Sequence, residues 1–280
     1  MRMPVNAQIV KLDRQLETQP KEVRFCRRCV VSSQRPRIRF DEQGICSACR
    51  FREYEQTKVD WNGREQELQK LAADLRRRPG IHAGVAVSGG KDSGYISHVF
   101  KNELGLNVLC ACFKPVLYTD IGLQNFNAFV DKGFTTLQAL PSGRFQRKLA
   151  RMAFYSLGDA WAGFGMGQMA YPHWLALQVG APYVFYAENG EAQYSGDPAV
   201  FNLRGMPSDQ WAQRYHKGRT IDDLVAFGLE NGYLTKDDFT AFDLEWYRPP
   251  APEALTKAGV QMLWMSYFRR YDPMESFYCA

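Results

Sequence analysis

The stretch Val85-Ala86-Val87-Ser88-Gly89-Gly90-Lys91-Asp92-Ser93 constrains this chain more than any other. A short apolar run passes into two adjacent glycines, then into a helix whose apolar face reads Ile96, Val99, Phe100 and Leu104. Strand, tight loop and helix N-terminus follow within a few residues. Successive backbone N–H groups in such a loop point into one concavity, where the helix dipole adds partial positive charge. The matching guest is a phosphate. Spacing removes two familiar phosphate loops: Gly84 and Gly89 have the Walker A separation, but Gly90 stands where its Lys belongs, and the dinucleotide pattern GxGxxG is absent.

The surrounding pattern predicts strands at 83–88, 107–113, 134–140 and 182–187. Helices are predicted at about 92–104, 120–132, 144–157 and 168–179, with Gly105, Gly133 and Gly180 at C-terminal cap positions. Apolar strands alternating with such helices imply an α/β fold with a parallel, doubly wound sheet. Ligands of such sheets sit beyond the carboxyl ends of the strands. That rule gathers three loops: Ser88 to Ser93, the turn that starts with Phe113 and Lys114, and the turn of Glu188, Asn189, Gly190 and Glu191.

Ahead of this domain, residues 1–21 form a polar arm without a period, and 22–52 hold Cys26-Arg-Arg-Cys29 and Cys46-Ser-Ala-Cys49. Two CxxC knuckles at this separation match a four-cysteine zinc site, which is closed and therefore structural. The competing uses of four cysteines are disulfides, which a reducing compartment disfavours, and an iron–sulfur cluster. Metal binding supplies folding energy to a segment too small for its own core. Residues 53–79 contain Leu68, Leu71 and Leu75 on one face and read as a helical connector ended by Pro79-Gly80. The phosphate-binding domain spans 80–205, and 206–280 is a mainly helical C-terminal part. Cys110 and Cys112 lie in an apolar strand and are expected as packed thiols.

The chain carries a net charge of +5, and 21–52 alone hold nine Lys/Arg against three acids. The basic character belongs to the cysteine segment, which suits an anionic ligand, RNA, an acidic partner or a solvated face. With 280 residues and 45% hydrophobic content the chain suffices for one large and one small domain. No run approaches the about 18 apolar residues of a membrane span, and the N-terminus lacks a signal-peptide core. A cytoplasmic location is expected.

Ser-Gly-Gly-Lys-Asp-Ser between a strand and a helix resembles the PP-loop ATP pyrophosphatase superfamily. The resemblance implies attack on the α-phosphate of ATP: an acceptor oxygen is adenylated, pyrophosphate leaves, and a nucleophile displaces AMP. It further implies that Ser88, Gly89, Gly90, Lys91, Asp92 and Ser93 hold the pyrophosphate, with Lys91 offsetting its charge and Asp92 reaching magnesium. Phe113 and Lys114 would lie beside the adenine. The wider pattern resembles the N-acetyl sugar amidotransferases of bacterial surface-polysaccharide synthesis. It comprises FCRRCVVSSQRPRIRFDEQGICSAC, VSGGKDS, Tyr118-Thr-Asp-Ile-Gly122, ENGEAQYSGD from Glu188 to Asp197, and LTKAGVQMLWMSYFRRYDP.

Members of that family convert a sugar acetamido group to acetamidino in lipopolysaccharide or O-antigen synthesis, with ATP activating the amide oxygen and ammonia displacing AMP. The resemblance implies ATP, magnesium and zinc as cofactors. It implies Glu188 and Glu191 as catalytic carboxylates with Lys91 and Asp92, and Asn189, Arg204 and Tyr118 at the substrate. Arg214 and Arg219 suit an acidic or nucleotide part of the sugar. His82, His98, His173 and His216 show no glutaminase setting with a cysteine. The resemblance therefore implies ammonia from a separate glutaminase and a cyclase-like subunit. Family members continue beyond the point where this chain stops, so the C-terminal part is expected to be shortened. Its rings, Trp246, Tyr247, Trp264, Tyr267, Phe268 and Tyr271, serve as partner surface or as core. The sequence leaves open the sugar, its attachment to UDP, to CMP or to neither, and the oligomeric state.

The main alternative is a tRNA thiolation enzyme using the same adenylation, which suits the basic ribbon. Such enzymes resemble one another in carrying a catalytic cysteine or cluster in the PP-loop domain, where this chain offers only Cys110 and Cys112. A sugar, not a nucleic acid, is the favoured substrate. A non-catalytic nucleotide-binding scaffold is the third class, and the intact Asp92, Glu188 and Glu191 argue against it.

Overall fold

A computed structural model of the protein describes residues 20–279, so all but the end of the predicted 1–21 arm lies outside the described residues. Its centre is a five-stranded parallel sheet of β1 (Ala83–Ala86), β2 (Val108–Phe113), β3 (Thr136–Ala139), β4 (Tyr183–Tyr186) and β5 (Gln261–Trp264), in the order β3-β2-β1-β4-β5. β1 is central, so the loop that follows it opens at the middle of the carboxyl edge.

Four strands stand where the apolar runs predict them. The fifth does not: β5 lies in the part read as mainly helical, and pairs with β4 from Tyr183↔Gln261 to Tyr186↔Trp264. Four residues are too few to show a period, so pairing decides their conformation. The C-terminal part is thereby built into the same sheet as the phosphate loop.

Six helices of the first two-thirds matter for the site: α1 (Ser47–Thr57), α2 (Trp61–Arg76), α3 (Lys91–His98), α4 (Asp120–Asp131), α5 (Gly143–Leu157) and α6 (Ala162–Val179). The predicted single connector is two helices, because Asp60 starts a new one by accepting from Gly63 N at 3.0 Å. Thr119 and Ser142 cap α4 and α5 in the same way. Sheet side chains alternate between two cores. Val85, Cys110, Cys112 and Phe185 meet α2, α3 and α4, while Leu109, Ala111 and Phe113 meet α5 and α6.

α6 begins well before the predicted 168 because its glycines are used for packing. A Cβ on Gly163 would lie 2.3 Å from Leu149 Cδ2, and one on Gly167 2.3 Å from the Phe113 ring. Each glycine costs about 1 kcal/mol of helix propensity, which hides the helix from a sequence reading. Pro172 inside α6 leaves the Gln168 carbonyl without its helical donor, and the Tyr186 hydroxyl donates to it at 3.1 Å. No helix of the described residues is long and apolar enough to cross a membrane.

Candidate active site

β1 ends at Ala86, and residues 87–90 carry the chain off the sheet edge into α3. Gly89 makes the turn at φ +82°. A Cβ there would stand 3.1 Å from Phe126 Cβ and 3.3 Å from its N and Cα, so the loop lies directly on the backbone of α4. Gly90 then precedes α3 without a capping side chain, leaving the first-turn N–H groups uncapped. Ser93 Oγ turns back to donate to Gly90 O at 3.0 Å. Uncapped donors and the positive end of a helix dipole make a cradle for phosphate oxygens.

Around the cradle stand two carboxylates and two tyrosines. Lys91 Nζ donates to both oxygens of Asp92 at 2.7 Å, and the Tyr271 hydroxyl donates to Asp92 Oδ1 at 3.1 Å. From the end of β4, Glu188 Oε1 accepts from the Tyr194 hydroxyl at 3.1 Å. Burial, and then the negative charge of Asp92, raise the Glu188 carboxyl above the usual carboxylate range. Two carboxylates that repel each other beside a phosphate cradle fit a magnesium ion, which takes carboxylate and phosphate oxygens together. Burial foremost, against the lowering contact with Tyr194 and aided by the charges of Glu188 and Asp92, pushes Tyr271 up to about 12. It remains a hydrogen-bond donor at neutral pH.

The sequence reading set Glu191 beside Glu188 as a second catalytic carboxylate. The structure turns it the other way, because a π-helical turn, Glu191–Ser195, follows immediately. Glu191 is nearly buried and accepts from Arg37 Nε and Nη2 at 2.5 and 2.6 Å, so it anchors the cysteine segment. Tyr194, in the same turn, points back to Glu188. Asn189, expected at the substrate, is buried and holds the loop: its Oδ1 accepts from Glu191 N and Ala192 N, and its Nδ2 donates to Val200 O.

The other expected residues divide. Phe113 is core, packed on Gly167 and edge-on to Tyr247, so only its backbone remains for an adenine. Lys114 exposes its side chain at the end of β2, while its N–H donates to Ala139 O. The Tyr118 hydroxyl accepts from Gln138 Nε2 at 2.8 Å beside Cys112. Arg204 does not join this site. Its guanidinium lies over the Tyr267 and Phe268 rings, and it borders a separate cavity of about 440 Å3 with His173 and Trp211. Tyr194, Tyr271 and Arg37 were missed as site residues. All three lie inside the stretches quoted for the family resemblance, but nothing in their spacing shows that they converge.

Cys26, Cys29, Cys46 and Cys49 bring their sulfurs within 4.8 Å of one another. With Zn–S bonds of about 2.3 Å, a tetrahedral site spaces sulfurs by about 3.8 Å. Cys29 and Cys46 are at 3.5 Å. Burial pushes the Cys26 thiol up, but N–H donors of Cys46, Arg28 and Cys29 prevail and bring it down to about 6. Four thiol donors, one already favouring thiolate, fit zinc. The ribbon and α1 dock on the turn after β4: Ser47 Oγ donates to Ser195 O at 2.5 Å, and Gln193 Nε2 to Glu55 Oε1 at 2.7 Å. Gly196 permits the closeness, since a Cβ there would lie 2.1 Å from the Ser47 carbonyl carbon.

No family model matches the chain, and no curated protein matches it. Among solved structures, it is similar to the NH3-dependent NAD synthetase of Campylobacter jejuni at 12% identity. That match covers 71% of this chain and 95% of the other, with a TM-score of 0.37. An NAD+ synthetase of Burkholderia pseudomallei is similar at 15% identity, over 86% of this chain and 94% of that one, with a TM-score of 0.34. At that similarity, function has to come from this chain's own residues.

Proposed function

We propose that the protein is an ATP-dependent amidotransferase of PP-loop type that converts an acetamido group on a sugar to acetamidino. The observation that carries this reading is the Gly89-Gly90 cradle at the N-terminus of α3, faced by Lys91, Asp92 and Glu188. A cradle shaped for pyrophosphate with carboxylates for magnesium suits adenylation rather than γ-phosphoryl transfer.

In the reaction, the amide oxygen attacks the α-phosphorus and the bond to pyrophosphate breaks. Ammonia then adds to the activated carbon, the C–O bond breaks, AMP leaves, and a proton is lost. The first-turn N–H groups of α3 hold the leaving pyrophosphate and Lys91 shifts from Asp92 to its charge. Asp92 and Glu188 would hold a magnesium ion, whose contribution would be to neutralise phosphate charge, while Tyr271 and Tyr194 orient the two carboxylates.

Ammonia comes from a separate glutaminase-type partner with a cyclase-like subunit. Within the described residues, His82, His98 and His173 bond to Arg78 and Asn107, to Asn102, and to Met169, and none to a cysteine. The sulfur-transfer alternative needs a reachable thiolate. Cys110 and Cys112 are fully buried, and burial pushes both thiols up, Cys110 to about 11. Cys279 is exposed, and its thiol is also raised.

The test is ATP-to-AMP turnover with ammonium chloride and a panel of nucleotide-linked diacetamido sugars. Sugar-dependent AMP release with a loss of about one dalton from the sugar, oxygen replaced by NH, is expected. Release triggered by tRNA and a sulfur donor, with no response to any sugar, sinks the reading.

A further inference from the structure

Between the ribbon and the turn after β4 lies a cavity of about 320 Å3. Its wall carries four cations, Arg35, Arg37, Arg214 and Lys217, together with Tyr194 and Tyr215. We propose that this cavity binds an oxyanion of the acceptor, a phosphate or a carboxylate, with Arg35 as its principal ligand; this rests on the amidotransferase reading above.

The charges are not equivalent. Arg37 spends Nε and Nη2 on Glu191, leaving the Nη1 donors, and Arg214 donates to Asp197 at 2.7 Å. Arg35 is exposed, lies 5.5 Å over the Tyr194 ring, and pairs with no carboxylate among the described residues. A guanidinium fixed against a ring presents its fork to one side, the geometry that carboxylate and phosphate take in bidentate fashion. The Tyr215 hydroxyl is buried without a hydrogen-bond partner among the described residues, a second donor at the same wall.

Position ties the cavity to the chemistry. Tyr194 lines it and also donates at 3.1 Å to Glu188, the carboxylate that follows β4. An acceptor held by its anion at Arg35 therefore extends along Tyr194 toward Glu188 and the α-phosphate. The volume is that of a small-ligand pocket. Arg37 is held by Glu191 and by Arg214 O, to which its Nη2 also donates at 3.0 Å, so the ribbon contributes this wall from a tethered side chain.

The test uses the full chain saturated with α,β-methylene-ATP, so that the cradle is filled, and titrates UDP and glucuronate separately by calorimetry. At least one binds, and Arg35→Ala weakens that binding by about tenfold or more. Arg39→Ala, which removes the same charge from an exposed ribbon position outside this cavity, weakens it by less than about threefold. Affinity for the ATP analogue is the same in both variants. Binding of UDP alone assigns the anion to phosphate, and binding of glucuronate alone to carboxylate. Absence of binding by either, or equal weakening by the two substitutions, overturns the proposal. A protein that binds as expected yet amidates no sugar loses the amidotransferase reading and keeps the anion site. A sugar-amidating protein whose KM ignores Arg35→Ala does the reverse.

Discussion

Gly89→Ala separates a loop that is merely flexible from one that is pressed into shape. An L-residue at φ +82° costs about 1–2 kcal/mol. The new methyl also meets Phe126 Cβ at 3.1 Å and Phe126 N and Cα at 3.3 Å. Backbone atoms in the middle of α4 cannot rotate away, so overpacking adds about 1–3 kcal/mol. If the loop stays in place, the melting temperature falls by several degrees, at about 2–4 °C per kcal/mol. If it lifts to relieve the contact, stability is spared but the first-turn N–H groups of α3 move, and a shift of about 1 Å is worth about a hundredfold in a positioned site.

Gly90→Ala is the control. Its φ of −83° and ψ of 157° are open to any residue, and its Cβ would meet only Ser88 Oγ at 3.4 Å. That change stabilises by about 0.4–1 kcal/mol through the unfolded chain. Neighbouring glycines thus give opposite signs. Thermal unfolding and calorimetry with α,β-methylene-ATP read both terms. If Gly89→Ala melts within about 1 °C of the parent and binds the analogue equally well, the pressed-loop account is wrong.

Tyr271→Phe removes a hydrogen bond to an ionised carboxylate, worth about 1.5–3 kcal/mol. Acceptor-dependent AMP release should fall about tenfold or more, and turnover within about twofold of the parent removes Tyr271 from the site. Glu188→Gln tests the raised carboxyl: the folded protein holds that proton more tightly than the unfolded chain, so stability drops as pH rises through the raised value. The variant should melt higher than the parent at neutral pH, the gap closing as pH falls toward 4.5, the ordinary value of a Glu carboxyl, and a gap that widens on acidification contradicts the assignment. Cys26→Ser should abolish zinc in metal analysis and loosen the ribbon. Because the ribbon braces the turn after β4, acceptor-dependent turnover should go with it while affinity for the ATP analogue remains. Full zinc occupancy in that variant defeats the ligand assignment.

What was legible in the sequence was what is local. The strand-to-helix passage at Val85 to Ser93 states its own conformation, since Gly89 and Gly90 stand where one bend and one uncapped helix start are needed. The two CxxC pairs likewise predict their own convergence. β5 and the glycine-rich start of α6 were not legible, because their conformations come from a neighbouring strand and from close packing against Leu149 and Phe113. The same distinction governs the site. Glu188 was found as the end of a strand, whereas the fate of Glu191 depended on Arg37, 154 positions away. Nothing in the Glu188 to Glu191 turn says that one carboxylate faces the phosphate cradle and the other faces a cysteine ribbon.

That division gives the four-cysteine segment a part in the candidate site. A zinc ion on four thiolates would leave no open position for chemistry, so the ribbon would act by where it holds its arginines. Ser47 against Ser195, the close approach at Gly196, and Arg37 on Glu191 fix the ribbon to the turn that also carries Tyr194. Tyr194 in turn holds Glu188 beside Asp92. On the proposed reading, one side of the acceptor pocket would therefore be made by residues whose fold depends on the four cysteines and the metal they would hold. The basic surplus of the ribbon, which on its own suits RNA as well as a small anion, has two of its arginines, Arg35 and Arg37, on the wall of a cavity of about 320 Å3. A cavity of that size admits one small acidic group and no nucleic acid duplex, whose backbone would need the charge spread along an open face.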